Sequence, residues 1–270
     1  MPTWSEKEST RSMNDNLTDP GQAANGQGEG GEPDRIIVAA IGDLHVVDTD
    51  QHRYRDLFAE ISEAADVLVL CGDLTNFGKT GEAEALAADL QACTIPAVGV
   101  LGNHDFECGQ PDEVSRIMTA AGVTMLDEQA VMIKGVGFAG VKGFIGGFDR
   151  GELGAFGESA IKTFVDESIN EARKLENQLR TLRSDRAMAV LHYSPIAETV
   201  RGEPEPIFPF LGSSRLANAV DRFDNVKAVV HGHAHRGTYQ GATPRGIPVY
   251  NCAQFVVQPE FGRPYALLEI

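Results

Sequence analysis

The amino-acid sequence predicts an α/β protein built as a two-sheet mixed β sandwich flanked by helices, and three observations predict it. Five short runs of Val, Ile, Leu and Ala stop abruptly at Gly, Asp, Asn or His. Between them lie stretches whose apolar residues recur at helical spacing. Two further regions carry closely spaced apolar runs with turn residues and no helical pattern between them. Strands that are apolar on both faces and separated by helices need a sheet covered on both sides.

Taken in order, residues 1–34 are rich in Gly, Gln, Glu, Asn, Ser and Asp, a composition that cannot offset its own ordering entropy, and are expected to form a disordered leader. Residues 35–270 are expected to form a single domain, because no composition break or repeat follows. The five runs are IIVAAIGDLH (36–45), VLVLCGDL (67–74), AVGVLGNHD (97–105), AMAVLHYSP (187–195) and AVVHGHAH (228–235). Each apolar part is of strand length. Tyr54, Leu57, Phe58 and Ile61 mark one helix, and Val114, Ile117, Met118 and Ala121 mark another. The longest helix runs from Ser159 to Arg183, where Ile161, Phe164, Val165, Ile169, Leu175, Leu179 and Leu182 share a face. Regions 123–142 and 247–269 are expected to form antiparallel hairpins.

A net charge of −16 speaks against a duplex nucleic-acid binder, which draws its affinity from Lys and Arg set against phosphates. Seven acids and two bases of residues 1–34 account for −5 of that charge, so the body of the chain is acidic too. Cys71, Cys93, Cys108 and Cys252 show no CxxC pairing and are too sparse for a disulfide framework, which suits a reducing compartment. The N-terminus lacks a basic start followed by an apolar run, and no stretch approaches the roughly 20 apolar residues of a membrane span. The expected location is cytoplasmic.

The chemistry sits where the five runs end: Asp43 and His45, then Asp73, then Asn103, His104 and Asp105, then His192, then His231, His233 and His235. Six of the seven histidines are among them. In α/β sheets the strand ends are where side chains from distant parts of the chain converge. Alternate residues of an extended segment share a side, so Asp43 with His45, and His233 with His235, are expected to project together, with Leu44 and Ala234 pointing away. Carboxylate, imidazole and amide oxygen without thiolate suit first-row divalent ions. If Asp43, His45, Asp73, Asn103, His192, His233 and His235 all bind, seven side chains need two metals with one carboxylate shared. Two ions about 3.5–4 Å apart are the apparatus of phosphoester hydrolysis.

Asp43-x-His45, Gly72-Asp73, Gly102-Asn103-His104-Asp105, His192 and Gly232-His233-x-His235 together resemble the calcineurin-like metallophosphoesterase superfamily, with its five blocks in order over residues 36 to about 236. The resemblance implies that Asp43, His45 and His235 bind one metal, that Asn103, His192 and His233 bind the other, and that Asp73 bridges them. It implies manganese, iron or zinc as the ions, and a metal-bound hydroxide attacking phosphorus in line with the leaving group. It gives His104 the task of stabilising or protonating the departing oxygen and Asp105 that of hydrogen-bonding and orienting His104.

The Gly-Asn-His-Asp form resembles the phosphodiesterase-like branch, so a small soluble phosphodiester is the leading substrate and a phosphomonoester the alternative. A non-catalytic binding module on the same fold is a third reading, weakened because every expected position is occupied. His231 is expected to back the site from its strand and His52 to lie outside it. The glycine-rich segment 135–157 carries Phe138, Phe144, Phe148 and Phe156, and its residues 143–157 are expected to cap the site. RGEPEPIFPF (201–210), Tyr193 and Arg236 are further candidates for substrate contact.

Overall fold

The computed structural model describes residues 35–127 and 129–270, and the expected leader lies outside the described residues. The first sheet takes β1 (Ile37–Ile41), β2 (Val67–Cys71), β3 (Ala97–Val100), β4 (Val123–Met125) and β11 (Ala266–Glu269), in the order β11-β1-β2-β3-β4. The second takes β5 (Val131–Ile133), β6 (Val136–Val141), β7 (Ala187–Leu191), β8 (Val226–His231), β9 (Gln240–Ala242) and β10 (Pro248–Asn251), in the order β5-β6-β7-β8-β10-β9. Each sheet has a parallel centre, and antiparallel strands β11, β5 and β9 form edges. The helices are α1 (Arg55–Ala64), α2 (Thr80–Leu90), α3 (Pro111–Ala120), α4 (Ser159–Thr181), α5 (Ser214–Val220) and α6 (Gln254–Phe261). Residues 35–270 form one contact unit.

Strand alternation explains why the central runs are apolar throughout. Val38 and Ala40 of β1 and Val67, Val69 and Cys71 of β2 face the second sheet, whose Phe138, Met188 and Val190 meet them in the inter-sheet core. Ala39, Ile41, Leu68 and Leu70, one residue out of phase, pack with Phe58, Leu86 and Met118 of the helices outside the first sheet. Ala187, Ala189 and Leu191 of β7 do the same against Leu175 and Leu179 of α4. Burying one such side chain contributes about 1.5–3 kcal/mol, so two buried faces make these strands the most strongly specified part of the chain.

Several expectations need correction. Region 123–142 contains one antiparallel hairpin, β5–β6, turned at Lys134 and Gly135 with both φ values positive, whereas β4 joins β3 in parallel. Region 247–269 is no simple hairpin: β10 lies parallel to β8, and α6 intervenes before β11. Pro259 hid α6, because a proline inside a short apolar stretch reads as a helix breaker. The alanine-rich α2 was not read from the sequence because its apolar periodicity is weak; Glu82 secures its start by accepting from the Phe77 and Lys79 N–H groups. Part of the glycine-rich segment is the strand β6, not a loop. A Cβ at Gly137 would lie 2.8 Å from a Leu182 methyl, and one at Gly140 2.7 Å from the Val190 carbonyl oxygen, so glycine lets neighbours close over this strand. Residues 143–157 do form a loop, with Phe148 buried against Val200, Leu211 and Ala234 while Phe156 is exposed.

Candidate metal centre

The C-terminal ends of the parallel strands in both sheets meet at one edge of the sandwich. Three bonds show how tightly: the Gly42 N–H donates to the Cys252 carbonyl at 2.9 Å, the His192 Nδ1 lies 3.0 Å from the Cys71 carbonyl, and the Gly232 N–H donates to the His192 carbonyl at 3.1 Å. The first two bonds join the ends of the two sheets directly.

Beyond their strands, Asp43 (φ 61°), His45 (φ 46°), Asp73 (φ 50°) and His233 (φ 71°) take left-handed backbone conformations. The expected explanation for the Asp43 and His45 pair, alternation along an extended strand, is therefore wrong. The chain turns instead: the Asp43 and His45 N–H groups donate to the Gly72 and Asp73 carbonyls, each at 3.0 Å, and Leu44 drops into the core between them. A left-handed non-glycine residue is costly, about 1–3 kcal/mol, and a cluster of them marks a site where surrounding structure imposes the geometry.

Two groups of side chains result. In the first, the Asp43 carboxylate accepts the His233 N–H on both oxygens at 3.0 Å, and its Oδ1 lies 3.0 Å from the His235 Nε2. The His45 Nε2 points at the His235 Nε2 from 3.3 Å. In the second, the His192 Nε2 faces the Asn103 Oδ1 at 2.9 Å and the Asp73 Oδ1 at 3.3 Å, and the ligand atoms of Asp73, His192 and His233 lie within 4.8 Å of one another. Asp73 stands between the groups, its Oδ2 3.8 Å from the His45 Nε2.

The residues fit metal ions. A carbonyl only accepts, so the His192 Nδ1 beside Cys71 carries the proton and its Nε2 presents a lone pair. That lone pair faces the side-chain oxygens of Asn103 and Asp73, a nitrogen and two oxygens turned toward one point as metal ligands are. The His45 Nδ1 is buried without a hydrogen-bond partner among the described residues. Electrostatics agree. Burial, then the nearby Asp43 and Asp105 carboxylates, push Asp73 up to about 9. Burial lowers His45 to about 4 and takes His192 well below the usual imidazole range. For His235 burial opposes the charge, but the hydrogen bond and charge of Asp43 prevail and raise it. For Asp43 burial opposes ionisation, and the surrounding imidazoles, His235 first, reverse that and lower it. Carboxylates that repel and imidazoles kept neutral are what a bound cation relieves and uses.

His104 opens a short 3-10 turn ending at Phe106, and its N–H donates to the Asp73 Oδ1 at 2.8 Å. Its Nδ1 is held by the Asn76 carbonyl at 2.7 Å, and its Nε2 makes no hydrogen bond among the described residues. The expected bond from Asp105 to the His104 ring is not formed among the described residues. The Asp105 carboxylate points into the protein and accepts from the N–H groups of Gly102, Leu74 and Thr75 and from the Thr75 hydroxyl, at 2.6–3.2 Å. It ties the Asp73 and Asn103 loops together and reaches His104 only through the turn.

Other expectations resolve as follows. His231 is buried and bonds Thr199 through Nε2 at 2.8 Å, behind the His233 loop. His52 is exposed and lies 3.4 Å from Asp89, outside the site. Arg201 is exposed beside Glu198, and Arg236 is exposed with its N–H bonded to Glu203. Tyr193 packs its ring 4.5 Å from that of His233, and the Phe210 carbonyl meets the His233 Nε2 at 3.2 Å. Phe255 of α6 lies 4.5 Å from the His235 ring, a contact with no sequence signal because it depends on the unread helix.

Two helix-covered mixed sheets with His, Asp and Asn gathered at their parallel strand ends define the class of metal-dependent phosphoester hydrolases. Residues 36–237 match the model of the calcineurin-like phosphoesterase family, and the chain belongs to it. No curated protein sequence matches the chain. Among solved structures, phosphopantetheinyl hydrolase from Mycobacterium tuberculosis is similar in fold, with 14% identity, a TM-score of 0.61 and coverage of 86% of this chain and 95% of that one. A protein of Thermus thermophilus is also similar, with 17% identity, a TM-score of 0.53 and coverage of 87% and 98%. No helix among the described residues is long and apolar enough to cross a membrane.

Proposed function

We propose that the chain, through its domain at 35–270, hydrolyses small soluble phosphodiesters at a two-metal centre. In this reading Asp43, His45 and His235 hold one ion, Asn103, His192 and His233 hold the other, and Asp73 is shared. The observation that carries it is the position of Asp73, whose two oxygens face opposite imidazoles, His45 at 3.8 Å and His192 at 3.3 Å. Two metal ions supply Lewis acidity for the phosphoryl oxygens and a nucleophile drawn from water at neutral pH. Manganese with iron, or two manganese ions, suit the mixed nitrogen and oxygen donors, as does zinc.

The protein's own residues set the rest. With its Nδ1–H donated to the Asn76 carbonyl, the His104 ring is fixed with Nε2 outward, and as the imidazolium, protonated on both nitrogens, it delivers the Nε2 proton to the departing alkoxide. Asp105 keeps the Asp73 and Asn103 loops in register by its four hydrogen bonds. No Lys or Arg side chain bonds to the constellation among the described residues, which favours the single negative charge of a diester over the double charge of a monoester. Four free thiols support the cytoplasmic location as part of the same proposal.

The test is hydrolysis of bis-p-nitrophenyl phosphate against p-nitrophenyl phosphate by metal-stripped protein reloaded with manganese, for the wild type and Asp73→Ala. The expected result is metal-dependent diester cleavage that the variant loses. A preference for the monoester would make the protein a phosphatase, and no turnover of either by the loaded wild type would favour a binding module.

A further inference from the structure

Beside the metal centre lies a cavity of about 520 Å³, lined in part by Leu101, Phe106, Met125, Lys142, Glu171 and Lys174. None of the seven candidate ligands lines it, yet it adjoins them. Leu101 and Phe106 bracket the loop that carries Asn103 and His104, and the Lys142 carbonyl accepts from the His192 and Tyr193 N–H groups, each at 3.1 Å. Phe106 closes the 3-10 turn that His104 opens, so the cavity adjoins the loop that carries His104.

Lys142 is the unusual residue there. Its ammonium lies among three aromatic rings, 5.0 Å from the centroid of Phe144, 5.3 Å from Phe106 and 5.5 Å from Tyr193. Its one hydrogen bond runs to the Gly143 carbonyl at 2.8 Å, and among the described residues no carboxylate lies within ion-pair distance of it. The nearest buried acid, Glu171, is committed elsewhere, with one oxygen on Lys174 at 2.7 Å and the other accepting the Gly143 N–H at 2.9 Å. Lys174, by contrast, is ion-paired twice, to Glu171 and Asp127. The acids Asp112 and Glu167 also line the cavity, but they stand exposed, where water and salt screen them. A partly desolvated ammonium with two N–H groups to spare is a strong point of attraction for an oxyanion.

We propose that this cavity receives the leaving group and that Lys142 determines specificity there, selecting phosphoesters whose leaving group carries a second oxyanion, a carboxylate or a phosphate. The inference rests on the phosphoesterase reading. The Tyr193 ring touches both the Lys142 ammonium, at 5.5 Å, and the His233 ring, at 4.5 Å, so one aromatic residue links Lys142 to the proposed metal centre. Leu101, Phe106 and Met125 supply an apolar wall for the connecting body.

The experiment compares diphenyl phosphate with bis(4-carboxyphenyl) phosphate, whose two leaving groups are identical, measuring the released phenol for the manganese-loaded wild type, Lys142→Met and Lys142→Arg. Calorimetry on the same samples measures binding of 4-hydroxybenzoate and 4-hydroxyphenylphosphonate, and their ranking separates a carboxylate from a phosphate partner. Loss of one charge-assisted hydrogen bond should lower the ratio of kcat/KM for the carboxylated over the plain diester by about tenfold or more in Lys142→Met. The same variant should weaken both phenolic oxyanions by a similar factor, and Lys142→Arg should recover part of each. An unchanged ratio, or unchanged binding, overturns the inference. If the loaded wild type turns over neither diester, the diesterase reading fails, and the binding arm alone decides: a tenfold loss upholds the oxyanion subsite, and equal affinity overturns it.

Discussion

Gly102→Ala tests whether the centre is assembled by close packing of backbone around Asp73. A Cβ at Gly102 would lie 2.2 Å from the Asp73 Oδ1, 2.3 Å from the Asp73 backbone nitrogen and 2.8 Å from its Cγ. Gly102 is not among the glycines with positive φ, so the backbone itself accepts alanine and contact alone is responsible for the effect. The carboxylate could swing aside, but the nitrogen belongs to a backbone fixed by bonds from Gly72 and Asp73 to Asp43 and His45 and from Leu74 to Asp105, and cannot. Overpacking of this kind costs about 1–3 kcal/mol, and about 2–4 °C of Tm per kcal/mol applies at this chain length, so a loss of roughly 2–12 °C is expected. Because the atom displaced is the one proposed to be shared, metal content should fall with it. The assay is differential scanning calorimetry with metal analysis of the dialysed protein. Gly154→Ala, where a Cβ would meet nothing within 4 Å, is the control and should match the wild type. A Gly102→Ala protein with unchanged Tm and full metal content would refute the reasoning.

Other predictions follow from the same geometry. Replacing His104 with Ala should lower kcat by about 10²–10⁴ while metal content stays at the wild-type value, with a smaller loss for p-nitrophenolate than for phenolate, because a good leaving group needs less proton donation. Thr75→Val removes the hydroxyl bond to the Asp105 Oδ1 at 2.6 Å and the acceptor for the Gly78 N–H at 3.1 Å, and should cost about 1–3 kcal/mol in urea unfolding. Leu175→Ala, under the second sheet, should cost about 2–5 kcal/mol and leave kcat per folded molecule intact. Chelation should lower Tm, and manganese at about 100 times its Kd should restore roughly 2.7 kcal/mol; a Tm indifferent to metal would count against the proposed ligand set.

What the sequence made legible is the part governed by burial. Runs such as Val67–Cys71, apolar on both faces, have one stable setting, the middle of a sheet covered on each side, and a glycine followed by a polar residue marks where the covering stops. The sheet-end location of Asp43, Asp73, Asn103, His192 and His233 follows from that alone. What stayed hidden depends on contacts between distant segments or on local backbone states. The α2 helix has too little periodicity to announce itself, α6 carries Pro259, and the parallel pairing of β10 with β8 is decided by the far side of the sandwich. Phe255 reaches His235 only because α6 exists. Asp105 read as a partner of His104 from its place in the motif, yet four inward hydrogen bonds are available to a carboxylate at that turn and one outward bond is not their equal.

The backbone at Asp43, His45, Asp73 and His233 shows how fold and function are coupled. Four left-handed non-glycine residues are costly at about 1–3 kcal/mol each, although Asp and His tolerate that conformation better than most side chains. At this turn Asp73 is buried and lies close enough to Asp43 to be repelled, and burial first, then that repulsion, pushes it up to about 9, while the His192 Nε2 lone pair is set against two oxygens. Hydrogen bonds that the Gly72 and Asp73 carbonyls accept from the Asp43 and His45 N–H groups, together with the two buried strand faces, hold the geometry, so the cost falls on the sandwich and not on the site. If a cation occupied each group, the repelling carboxylates would gain a partner and the imidazoles would supply nitrogen donors, so contacts that are unfavourable alone would become ligand interactions. A mutation that relaxed the strain, such as Asp73→Gly, would remove the donor along with the strain, so the left-handed backbone and the metal-binding donors cannot be separated by substitution at the same positions.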